Sequence, residues 1–120
     1  MKYSQEEIQS AIKVVTSTIS KCQKMQPKFI EGSSQYSLMK NRIKALQISK
    51  CLLDNDGSIL EYSKEELEEA LTPVISIINK TEKAQSKYEE GSTQYKRFSP
   101  LIAAMHIAKS LIADEIGKRE

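Results

Sequence analysis

The sequence is short of nearly everything that signals chemistry or export. It has no tryptophan, one histidine, two cysteines, three prolines and four glycines in 120 residues. Cys22 and Cys51 have no second pair to complete a zinc site, and two thiols are too few for the disulfide framework of a small secreted domain. The scarce glycines form no phosphate-cradling loop, and neither a nucleophile motif nor a metal cluster can be read. Long apolar runs are missing too, so nothing is long enough to span a bilayer, and Met1 to Glu7 lacks the apolar stretch of a signal peptide. These absences predict a reduced, cytoplasmic, non-enzymatic protein that requires no cofactor and stays out of the membrane. The usage of Lys, Ile, Ser and Asn suits a bacterial genome of low GC content.

What is present is a single pattern written twice. Pairing each residue i with i+59, Tyr3 to Leu52 aligns on Tyr62 to Leu111 without a gap and with 22 identities. Tyr3-Ser4-Gln5-Glu6-Glu7 answers Tyr62-Ser63-Lys64-Glu65-Glu66, and Glu31-Gly32-Ser33-Ser34-Gln35-Tyr36 answers Glu90-Gly91-Ser92-Thr93-Gln94-Tyr95. A duplicated unit speaks to architecture more than to role, because the repeated residues are mostly those that start, stop and pack helices. The organisation it predicts is one domain over 1–120, with a first repeat at 3–53, a linker at 54–61 and a second repeat at 62–118.

Each repeat opens with an S-x-x-E capping box, Ser4 with Glu7 and Ser63 with Glu66. Tyr3 and Tyr62 precede the caps as hydrophobic staples. From there Ile8, Ile12, Val15, Ile19 and Cys22 recur at steps of four and three, matched by Leu67, Leu71, Val74, Ile78 and Thr81, which is one narrow helical stripe. Gly32 and Gly91 are expected to end these helices in the left-handed conformation, with Ser33 and Ser92 near the start of the next. A short connection then folds each second helix back antiparallel. The fold class is therefore all-α: a four-helix up-down-up-down bundle made of two tandem helical hairpins, both glycine turns at one end.

Proline is expected to kink the third helix at Pro73 and to end or bend the first at Pro27. Ser99-Pro100 leaves two starts open for the fourth helix, one near Gln94 and one at Ser99-Pro100. The linker core, Asp54-Asn55-Asp56-Gly57-Ser58, has turn composition. It only loosely resembles a calcium loop, since Ile59 stands at the sixth position, where glycine is needed.

The second helix of each hairpin is apolar over too wide an arc for one stripe, as Leu38, Met39, Ile43, Ala45, Leu46, Ile48, Leu52 and Leu53 illustrate. Such a surplus is covered either by deeper burial within the monomer or by another chain, and on the second reading the partner is a second copy in a homodimer, or another protein. The favoured function is a helical scaffold or self-associating interaction module. The rival is nucleic-acid binding by Lys40, Arg42, Lys44, Lys50, Lys96 and Arg97 on helices 2 and 4, although no helix-turn-helix or RNA-binding signature accompanies them and the net charge is only +2. That small total combines +4 in Met1 to Leu60 (nine basic, five acidic) with −2 in Glu61 to Glu120 (nine basic, eleven acidic).

A third reading, a small-ligand bundle, rests on the repeated turns. Glu31, Gln35, Tyr36, Glu90, Gln94 and Tyr95 would approach one another around a pseudo-twofold axis, and neither capping nor packing demands the glutamine in both copies. His106 reads as a partly exposed helix residue, and Glu65, Glu66, Glu68 and Glu69 as a helix N-terminus that suits the dipole.

Overall fold

The computed structural model describes residues 2–120. Its four helices are α1 (Gln5–Met25), α2 (Ser34–Leu53), α3 (Lys64–Gln85) and α4 (Thr93–Lys118), with 3-10 turns at Gln26–Lys28 and Gly57–Glu61 and no strand among the described residues. The protein is an all-α four-helix bundle.

The helix starts follow the capping chemistry. Ser4 Oγ accepts from the Glu7 amide at 3.1 Å while Glu7 Oε1 accepts from the Ser4 amide at 3.0 Å, and Ser63 with Glu66 repeats both bonds at 3.1 and 3.0 Å. Each box satisfies two amides that the helix leaves unpaired, a serine cap being worth about 1 kcal/mol. Tyr3 and Tyr62, half-buried, pack on the core beside them.

The glycines work differently from the expectation. Neither terminates a helix: α1 and α3 stop at Met25 and Gln85, well before Gly32 and Gly91. Gly32 (φ 88°) and Gly91 (φ 87°) instead hold the third position of tight turns closed by Ser33 N–H donating to Ile30 O and Ser92 N–H to Glu89 O, the left-handed position that a type II turn reserves for glycine. The turns deliver Ser33 and Ser92 as N-caps, each accepting the amide of the tyrosine three residues on, Tyr36 or Tyr95.

Pro27 does end α1, passing it into the 3-10 turn. Pro73 and Pro100 do not end their helices. Assigned helix runs unbroken through both, and α4 begins at Thr93, the earlier of its two candidate starts. Proline has no N–H, so the carbonyls of Glu69 and Lys96 lose their helical donors.

Both chain termini lie at the linker end of the bundle. Arg119, the C-cap of α4, donates to Tyr62 O at 2.7 Å, Ile59 O at 2.9 Å and Glu115 Oε2 at 3.0 Å, tying the linker down, while Lys2 donates to Ser110 Oγ at 2.6 Å. Asp56 caps the linker's 3-10 turn through Ser58 N–H, and Ile59 is buried in the core.

Packing is uneven around the bundle. α2 touches α1, α3 and α4, and α4 touches α1, α2 and α3, but α1 and α3 do not meet. The central pair α2 and α4 thus lies on the short diagonal, with α1 and α3 outside. That arrangement absorbs most of the wide apolar arc within the monomer: Met39, Ile43, Ala45, Leu46, Ile48 and Leu53 of α2 are buried, with Ala104, Met105, Ile107, Ala108 and Ile112 of α4. The overall extents are 42 × 42 × 21 Å. A 26-residue α4 is about 39 Å long, so a parallel bundle would show one long axis; two equal long axes mean that the hairpins splay. The side-chain bonds and ion pairs that join the two hairpins, Lys2 with Ser110 and Asp114 and Lys44 with Glu66, lie towards the linker end.

Candidate functional site

The residues proposed from the repeated turns occupy matching places, one set on each hairpin tip. Glu31, Gln35, Glu90 and Gln94 are exposed, and Tyr36 and Tyr95 are half-buried. Among the described residues no hydrogen bond, ion pair or ring contact joins the Gly32 set to the Gly91 set.

The two tips differ in a way that residue identities alone did not flag. Met25, Ile30 and Leu38 are 44%, 80% and 65% exposed, although all three are large and apolar. Their counterparts at i+59 are Ala84, Glu89 and Arg97. At these three positions the first hairpin exposes apolar side chains where the second has small or charged ones, although Tyr88 of the second tip is itself 45% exposed. The second tip is also tied more tightly. Gln85 Nε2 donates to Tyr95 O at 3.0 Å and Ser99 Oγ at 3.1 Å, and Tyr88 stacks on Phe98 with ring centres 5.9 Å apart. The signal available in the sequence was the set of aligned pairs that change polarity.

Two grooves run between the hairpins, at positions related by the same offset. The α2–α3 groove, about 420 Å³, has Ala45, Ile48, Ala70 and Pro73 in its walls, and the α1–α4 groove has Ala104, Ile107, Ala11 and Val14 in the matching places. The grooves share a floor and differ in charge. Arg42, Lys44, Lys80, Glu66 and Glu69 line the first, and Glu6 and Glu7 are the only charged residues lining the second. An ion pair between Lys44 and Glu66 spans the first groove from helix to helix. The Lys44 hydrogen bond, followed by that of the Ser63 amide, holds the Glu66 carboxyl below its usual range, and the same hydrogen bond raises Lys44.

The basic residues of the nucleic-acid reading are divided by their partners. Lys44 is held by Glu66, and Lys50 by Asp54 at 2.8 Å, while Lys40 and Arg42 on α2 and Lys96 and Arg97 on α4 form no ion pair among the described residues. His106 is exposed. Cys22 and Cys51 are buried and unpaired, and burial pushes the Cys22 thiol up against the pull of Arg42. Cys51 Sγ sits 3.3 Å from Ser58 Oγ, so it serves the linker packing. Among the described residues no three His, Cys, Asp or Glu side chains are grouped to hold a metal ion, and no helix is long and apolar enough to cross a membrane. Compared with family models, curated proteins and solved structures, the chain matches none.

Proposed function

We propose that this protein is a non-enzymatic interaction module that self-associates through the tip of its first hairpin. The observation that carries the reading is the exposure of Met25, Ile30 and Leu38 where the second hairpin holds Ala84, Glu89 and Arg97. Leaving large apolar side chains in water forgoes about 1.5 to 3 kcal/mol apiece relative to burying them, and the second hairpin demonstrates that this turn folds without them. A contact made by the same patch on two copies closes a twofold dimer. The wide arcs of α2 and α4 are largely spent inside the monomer, and of the exposed large apolar side chains Met25, Ile30 and Leu38 are the three that fall at one tip.

The test exchanges the first tip for the second tip's own residues: Met25→Ala, Ile30→Glu and Leu38→Arg together. Size-exclusion chromatography with light scattering should show the wild type rising above its 13.6 kDa monomer mass with concentration, and the triple variant staying at it with an unchanged helical spectrum. A wild type that stays monomeric across the micromolar range would remove self-association.

A further inference from the structure

Charge is sorted along the bundle. Residues 24–42, from just before Met25 to one helical turn past Leu38, carry four basic residues and one acidic, and the matching 83–101 carry four basic and two acidic. The remainder carries ten basic and thirteen acidic, so the tips are +3 and +2 and the rest of the molecule is −3. Ion pairing is sorted in the same way. The five ion pairs among the described residues all fall outside the two tip segments. In the first tip Lys24, Lys28 and Lys40 are exposed, and Glu31 is the one carboxylate.

Given self-association through the first tip, the reading on which this inference rests, a twofold contact sets +3 against +3. Lys24 adjoins Met25 and Lys28 lies two residues before Ile30, so the cations border the apolar patch. At an ionic strength of about 0.01 M the screening length is about 30 Å, longer than the 21 Å short dimension of the molecule, and the repulsion opposes the apolar contact across the whole tip. At about 0.1 M the length is about 10 Å, and the opposition is largely relieved. One carboxylate per copy cannot balance four cations, so the neutralising charge comes from solution. A polyvalent anion supplies it most efficiently, because one ion between two copies attracts both sets of cations at short range, whereas monovalent salt only screens them.

We propose that the tip-to-tip contact includes a polyvalent oxyanion shared by Lys24 and Lys28 of both copies, so that such anions control dimer formation. Light scattering across a range of ionic strengths tests it. The dissociation constant of the wild-type dimer should fall about three- to tenfold as sodium chloride raises the ionic strength from about 0.01 to 0.1 M, the opposite sign to an interface made of ion pairs. Sodium tripolyphosphate at matched ionic strength should lower it at least about threefold further. Lys24→Gln with Lys28→Gln, at exposed positions without ion pairs, should dimerise at low salt without added anion and respond equally to the two salts. The Met25→Ala, Ile30→Glu, Leu38→Arg variant keeps the net charge and should stay monomeric in tripolyphosphate; clustering of that variant would mean that the anion gathers lysines without the tip, and would overturn the proposal. Equal action of the two salts on the wild type would also overturn it while leaving self-association intact. Association that weakens with salt and in the lysine variant would overturn it too, by setting the tip against the acidic linker end of its partner. A wild type that stays monomeric under every condition would remove the tip contact itself, and the anion site with it.

Discussion

The two hairpins start from the same instructions and finish differently. Both have a capping box, a staple tyrosine, a glycine turn and a second serine cap, yet α3 and α4 pack along far more of their length than α1 and α2. The difference begins at the tip. α3 reaches Gln85, whose amide bridges to α4, whereas its counterpart Gln26 falls in the 3-10 turn that Pro27 imposes and its side chain makes no hydrogen bond. A Tyr88–Phe98 stack braces the second tip; in the first, Phe29 turns towards the core and Met39 is buried. Three apolar side chains are left outside the first tip as a result. A few changes at the end of a helix thus alter how a hairpin closes and what it exposes, while the caps that define it stay constant.

The comparison breaks most visibly if the halves do not share the core equally. Leu46 and Met105 occupy equivalent positions and are both fully buried. Leu46→Ala and Met105→Ala should each cost about 2 to 5 kcal/mol in urea unfolding, because both leave a cavity on the short diagonal. A clear inequality between them would show that one hairpin carries the core and the other leans on it.

A smaller effect sharpens the contrast between the tips. Gln85→Ala should cost about 1 kcal/mol, the net value of partly buried hydrogen bonds, and should speed amide exchange around Tyr95. Gln26→Ala should change neither. Equal losses from the two substitutions would mean that the amide bridge does not account for the tighter second hairpin.

The smallest effect is electrostatic. Glu66 and Glu7 cap equivalent helices, but Lys44 reaches only Glu66, since Ala103 stands in its place in the other groove. The folded pKa of Glu66 lies below the usual 4.5, so its contribution is present above that value and is lost as the pH falls through the folded pKa. The raised Lys44 contributes below its usual 10.5 and loses that contribution as the pH rises through its folded value. Lys44→Ala should therefore flatten the fall in thermal midpoint on acidification below pH 4.5, and the wild-type effect should shrink in high salt because the pair is partly exposed. Equal acid slopes in both proteins would assign the shift to the cap alone.

Much of this was legible in the chain because it is local. A capping box is closed by residues three apart, a stripe repeats every turn of helix, and glycine is favoured where φ is positive, so the four helices and their order could be read from the residues that form them. Even there, local signals misled where two fitted one place. Gly32 looked like a helix stop, but Pro27 had already ended α1, and the left-handed residue was used by the turn before Ser33. The start of α4 stayed open because Ser99-Pro100 is as good a cap signal as Ser92, and the choice fell to Ser92 once Gln85 and Tyr88 had surface to pack against at Tyr95 and Phe98.

The sequence by itself determined the helices, their caps and the twofold repetition of positions, all of which depend on neighbours within a turn or two. Only the tertiary structure decided that α2 and α4 would share the short diagonal and absorb most of their wide apolar arcs, and that the first tip would leave Met25, Ile30 and Leu38 exposed. Those outcomes depend on which faces meet across the bundle, and side chains far apart along the chain settle that together through packing, in which no single spacing is decisive.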